Sequence, residues 1–109
     1  MNTFAKGKEG ENKAVKYLQT HGYKIVEKNY YCKGGEIDII AHKNEVFHFV
    51  EVKSGIGFEP VYNITPAKIK RIIKCIYQYL KKHKIKSAFC LDAIIIKEND
   101  IEFIKNITL

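Results

Sequence analysis

The stretch GEIDIIAHKNEVFHFVEVK, residues 35–53, decides how the chain is read. Two apolar runs flank Asn44-Glu45, the pattern of a β-hairpin closed by a two-residue turn. Strand side chains alternate between faces, so Glu36, Asp38 and Ile40 share one face, as do Phe49, Glu51 and Lys53. Closing Lys43 against Val46 sets Asp38 opposite Glu51 and Glu36 opposite Lys53. A slip of one residue would put Asp38 opposite a valine. The favoured register gathers three carboxylates and one ammonium on one face. Val46, Phe47, Phe49, Val50 and Val52 make the second strand apolar on both faces, which places these charges at a covered strand end.

The rest of the chain builds outward from this hairpin. Residues 4–21 have helical spacing in Ala14, Val15 and Leu18, with Thr3 as cap and Gly22 as stop. Glu11 falls on the same inward face, an unusual place for a glutamate. Tyr23 to Tyr31 reads as a strand, turned by Lys33-Gly34-Gly35 into strands at 36–42 and 46–53. Ser54 to Asn63 is a loop. Thr65 and Pro66 open a second helix with an apolar stripe of Ile69, Ile72, Ile73, Ile76, Tyr77 and Leu80, ending near His83. Strands at 87–97 and 101–106 follow. The order α-β-β-β-α-β-β predicts an α/β fold, a mixed β-sheet flanked by two helices, with residues 1–109 as a single domain.

Nineteen Lys and Arg against twelve Asp and Glu give a net charge of +7 and a pI near 9.3. That excess suits a polyanionic partner, although a basic protein without one has the same total. Cys32, Cys75 and Cys90 are odd in number and far apart, which predicts neither disulfide nor zinc site and points to a reducing cytoplasm. His21, His42, His48 and His83 lack metal-ligand spacing. The start of the chain carries no apolar leader, and no window reaches the ~20 apolar residues of a membrane span. A cytoplasmic protein without membrane contact is expected.

Two carboxylates about 5 Å apart repel by roughly 3 kcal/mol at an effective dielectric near 20. Either one takes up a proton or a cation lies between them. With Glu11 added, four acids share Lys53, an oxygen-rich arrangement that suits Mg²⁺ or Mn²⁺. Such an ion would polarise a phosphoryl oxygen, and Lys53 would orient water or balance developing charge. The same residues also fit a cross-strand ion-pair network on a sheet face.

At these residues the sequence resembles the PD-(D/E)XK nuclease superfamily, in which an acidic strand residue is followed one strand later by Glu-x-Lys. It is most similar to the small YraN-like bacterial proteins, which are related to Holliday-junction resolvases. GKEGENKAVKYL, KGGEIDIIA, FVEVKSG, ITPAKIKRIIKCIYQYL, LDAIII and IEFIKNI carry the resemblance over nearly the whole chain. It implies a restriction-endonuclease-like core with Asp38 and Glu51 as principal metal ligands. Glu11 would complete the metal site, Lys53 would be the catalytic lysine and Glu36 an accessory acid. The chain departs from the pattern at Gly55, two residues after Lys53, where relatives commonly carry arginine, and at Tyr31 and Cys32, where they tend to have arginine before the turn. A homodimer is expected by analogy with resolvases, which cut two strands symmetrically.

Lys68, Lys70, Arg71 and Lys74 on the second helix are the expected nucleic-acid contacts, near a helix N-terminus that itself favours phosphate. Phe58 and Tyr62 suit either base stacking or packing within their loop. A metal-dependent DNA endonuclease, acting on branched DNA in repair or recombination, is the leading expectation. A catalytically inactive nucleic-acid-binding module on this fold is one alternative. A protein-interaction domain with a structural ion-pair network is the other.

Overall fold

The apolar runs around Asn44-Glu45 form the expected hairpin in the computed structural model, which describes residues 3–55, 64–98 and 100–107. Asn44 and Glu45 adopt φ of 50° and 66°, the left-handed pair that a tight hairpin turn requires, and Lys43 pairs with Val46. The elements are α1 (Thr3–Thr20), β1 (Lys24–Cys32), β2 (Gly35–Lys43), β3 (Val46–Gly55), α2 (Pro66–Lys82), β4 (Ala88–Lys97) and β5 (Asp100–Ile104). One sheet has the order β1-β2-β3-β4-β5. Its pairs are antiparallel except β3–β4, which is parallel and joined through α2. Parallel neighbours need a crossover of this kind. The predicted α/β layout, a mixed sheet with two helices, is the fold observed.

Each helix covers one face. On the α2 side Ile40, Phe49 and Leu91 pack with Ile72, Ile76 and Tyr79. On the α1 side Ile39, Val50 and Ile94 pack with Ala14 and Leu18. The alternation within β3 (Phe49 one way, Val50 the other) is the sequence period made visible. Burying such side chains contributes roughly 1.5–3 kcal/mol each.

Local signals set the helix ends. Gly22 takes φ 88°, Tyr23 N–H donates to the Leu18 carbonyl at 2.9 Å and Gly22 N–H to that of Gln19 at 3.1 Å. This is a Schellman stop, sealed by contact between Leu18 and Tyr23 in the core. Thr65 caps α2, its hydroxyl accepting from Lys68 N–H at 3.2 Å, with Pro66 opening the helix. Thr3 is already within α1 rather than capping it. β3 runs to Gly55, two residues into the expected loop, and residues 56–63, with Phe58 and Tyr62, lie outside the described residues.

Two further expectations are corrected. Tyr77 is 58% exposed and meets Phe89 edge-on, whereas Tyr79 is buried among Tyr30, Phe47 and Phe49. The inward stripe runs through Ile72, Cys75, Ile76, Tyr79 and Leu80, and Tyr77 sits one residue round from Ile76. Nor are the cysteines all free. Cys32 at the end of β1 and Cys75 in α2 form a disulfide with Cα atoms 5.7 Å apart, leaving Cys90 as a thiol. Their separation of 43 residues hid a contact that the sheet creates by laying the end of β1 under α2. Cysteine usage therefore no longer argues for a reducing compartment.

Closing a loop of this length removes about 4 kcal/mol of unfolded-chain entropy in the simplest model, the upper end of the usual range. Urea denaturation with and without reductant is expected to show a loss of about 2–4 kcal/mol on reduction. Coincident curves, with the disulfide verified by mass, would contradict this.

Candidate active site

β2 and β3 pair from Lys43↔Val46 as far as Ile39↔Val50. Beyond that point β3 stays paired with β4 through Gly55↔Lys97. The backbone donor freed on the β2 side still needs a partner, and Val52 N–H finds it in Asp38 Oδ2 at 2.8 Å. A carboxylate thus replaces the next rung of the ladder, and the two strands part. Glu51 and Lys53, on the face of Phe49, point into the fork. There a cavity of about 320 Å³ is lined by Glu36, Asp38, Glu51, Lys53, Lys68 and Arg71, among others.

Glu51 is 3% exposed, and its Oε1 has no hydrogen-bond partner among the described residues. Burial, and then the neighbouring Asp38 carboxylate, push its carboxyl up to about 9. Lys53 moves the other way, lowered first by burial and then by the Lys68 ammonium beside it. Glu36 is raised by desolvation and by the charges of Asp38 and Glu11. Acids that resist ionisation and a lysine that resists protonation share one small space, as in sites that handle protons or bind ions.

The predicted residues separate into three groups. Glu36, Asp38, Glu51 and Lys53 come together, joined from α2 by Lys68 and Arg71. Glu11 stands beside the cavity rather than lining it. Its Oε1 accepts from Asn29 Nδ2 at 2.8 Å, and its charge reaches Glu36. Lys70 and Lys74 are exposed on α2 and do not line the cavity.

Two further residues position Glu11. A Cβ on Gly10 would run into Ser54 Oγ, so the glycine lets α1 approach the end of β3 closely. Asn29 adopts φ 52° within β1, where its amide turns toward the helix. An asparagine inside an aromatic strand is the available cue, since that residue is scarce in strands and tolerant of left-handed backbone. Chemically, two adjacent carboxylates with one buried, unpaired oxygen are the donor set a hard divalent ion takes.

Fold and pocket together define a small basic α/β domain with an acid–lysine centre at a fork in its sheet. The chain belongs to the uncharacterised protein family UPF0102, whose sequence model matches residues 10–96, a span that includes Glu11 and every lining residue named above. It is 56% identical over 105 residues to a UPF0102 protein of Wolinella succinogenes, covering 96% of this chain and 97% of that protein. A UPF0102 protein of Helicobacter hepaticus is 54% identical over 109 residues, covering 100% and 99%. One from Helicobacter pylori strain HPAG1 is 50% identical over 104 residues, covering 95% and 91%.

The raised Glu51 carboxyl makes a testable link to stability. Unfolding returns it to the ordinary glutamate value of about 4.3. Between that value and about 9 the folded protein holds a proton that the unfolded chain has released, so this group's effect is to lower stability as pH rises. Glu51→Gln removes the linkage. Its Tm relative to the parent is expected to climb steadily from pH 5 to pH 9 in metal-free buffer. A constant difference across that range would contradict the assignment.

Proposed function

We propose that this protein is a Mg²⁺- or Mn²⁺-dependent DNA endonuclease of the PD-(D/E)XK type. The observation that carries the reading is the buried, unpaired oxygen of Glu51 next to Asp38, with Lys53 on the same face. Family membership supports a shared architecture among small bacterial proteins of this length; the nuclease activity is our inference from the pocket.

Asp38 and Glu51 would hold the ion, with Glu36 and Glu11 adding negative charge at the cavity rim. A bound divalent ion supplies Lewis-acid polarisation of a phosphodiester and lowers the pKa of attacking water. Asp38, anchored through Val52 N–H, keeps its carboxylate fixed. Lys53, held below its usual pKa, would orient the water and offset the charge that gathers on the phosphoryl and leaving oxygens. Lys68 and Arg71 face the same cavity and would grip the flanking phosphates. The N-terminus of α2 adds a partial positive charge nearby. Lys70 and Lys74 would extend this track along the exposed side of α2.

The net charge of +7 gives affinity without sequence readout, which fits a nuclease that selects DNA by shape, such as branched junctions. Cutting both strands of a branch symmetrically requires two pockets, which a homodimer would supply.

The test is incubation of the pure protein with linear, supercoiled and four-way-junction DNA in Mg²⁺ or Mn²⁺. Cleavage is expected to fall by at least about 100-fold in Lys53→Ala and in Asp38→Asn, with DNA affinity kept. Lys68→Ala and Arg71→Ala are each expected to reduce the salt dependence of binding by about one phosphate contact. Equal cleavage by the parent and Asp38→Asn, or DNA binding without cleavage of any substrate, would overturn the reading.

A further inference from the structure

A second cluster of chemically active side chains lies on the opposite face of β3. His48 pairs with Cys90 across the parallel β3–β4 ladder, and Asp92 follows two residues along β4 on the same face. His48 Nδ1 lies 2.7 Å from Asp92 Oδ2 and 3.1 Å from Cys90 Sγ, and that sulfur is 3.5 Å from the same carboxylate oxygen. Asp92 is fully buried, with Asn106 N–H donating to Oδ1 at 2.7 Å. That bond leaves Oδ2 aimed at the thiol and the imidazole. The Tyr23 ring stands edge-on to His48 at 5.0 Å and walls the group.

A nucleophilic triad uses the two ring nitrogens of its histidine separately, one for the acid and one for the nucleophile. Here both partners face Nδ1, and one N–H serves only one of them well. Three donors aimed at one point are instead the geometry of a chelate. We propose that His48, Cys90 and Asp92 form a site for a borderline transition ion of the Zn²⁺ class, distinct from the acidic pocket.

The donor set of one sulfur, one imidazole nitrogen and one carboxylate oxygen is that of zinc rather than of Mg²⁺. A thiolate and a carboxylate neutralise the ion's two charges, so the buried group carries no net charge. Tetrahedral bonds of about 2.0–2.3 Å separate donors by roughly 3.3–3.6 Å. The present spacings reach that range by opening at most about 0.6 Å, within the reach of small side-chain rotations. The Asn106 bond to the ligating carboxylate is the kind of outer support that metal sites use. Strand placement keeps the backbone of all three ligands rigid. Three protein donors leave one position open to water or an external ligand.

The experiment is Co²⁺ and Zn²⁺ titration of the full chain in reductant-free buffer, with Cys32–Cys75 oxidised so that Cys90 supplies the thiol. One equivalent of Co²⁺ is expected to give thiolate charge-transfer absorption and tetrahedral visible bands. Asp38→Asn is expected to keep that signal, while Cys90→Ser loses it. Should Cys90→Ser not fold, alkylation of Cys90 in the parent gives the answer, with a slowing of at least about tenfold expected at saturating Zn²⁺. Co²⁺ bound without a thiolate band, or an alkylation rate indifferent to Zn²⁺, would overturn the proposal and leave a hydrogen-bonded network.

Discussion

The hydrogen bond from Val52 N–H to Asp38 Oδ2 is the contact on which the pocket depends. A β-ladder ends cheaply only where its next donor finds another acceptor, since an unpaired buried amide costs about 1–3 kcal/mol. By supplying that acceptor, Asp38 lets β2 leave β3 while β3 continues along β4 to Gly55. In the fork so formed Glu51 is buried and Lys53 half-buried, both beside the cavity. Structure and chemistry share a residue here, because the carboxylate that parts the strands is also one that faces Glu51.

Coverage then shapes the electrostatics. α2 rests on the Phe49 face and brings Lys68, Arg71 and Ile72 to the cavity that Glu51 also lines. The disulfide between Cys32 and Cys75 ties α2 to the strand end just ahead of Gly35, so the two walls of the pocket are covalently linked. On the other face, α1 approaches through Gly10 and sets Glu11 against Asn29 and near Glu36. The cavity therefore sets cations from α2, Lys68 and Arg71, against acids from the strands, Glu36, Asp38 and Glu51, with Lys53 among them.

Much of this was legible beforehand, because period and punctuation act locally. The two-residue turn at Asn44-Glu45 set the register as far as Ile39↔Val50, one step short of the expected pairing of Asp38 with Glu51, and Thr65-Pro66 and Gly22 marked helix ends by backbone requirement. What was not legible arises from contacts between elements. The ladder ends early because of a side chain, which no alternation pattern reveals. Cys32 meets Cys75, and Asn29 meets Glu11, only after the sheet has formed. Tyr77 and Tyr79 are two residues apart on one helix, and the helical period that runs through Ile72, Cys75 and Ile76 takes in Tyr79 rather than Tyr77. His48, Cys90 and Asp92 lack any ligand spacing in sequence, since a parallel ladder with a helical crossover joins them.

On the proposed function, the fork would exchange a proton on buried Glu51 for a divalent ion held with Asp38. Calorimetric titration of Mg²⁺ in two buffers of different ionisation enthalpy at pH 7.5 measures both quantities at once, and Mg²⁺ has no affinity for the thiol and imidazole of the second cluster. Saturable binding with release of about one proton per ion, lost in Asp38→Asn, is the expected result. Absence of binding with DNA present, or binding without proton release and indifferent to Asp38→Asn, would contradict it.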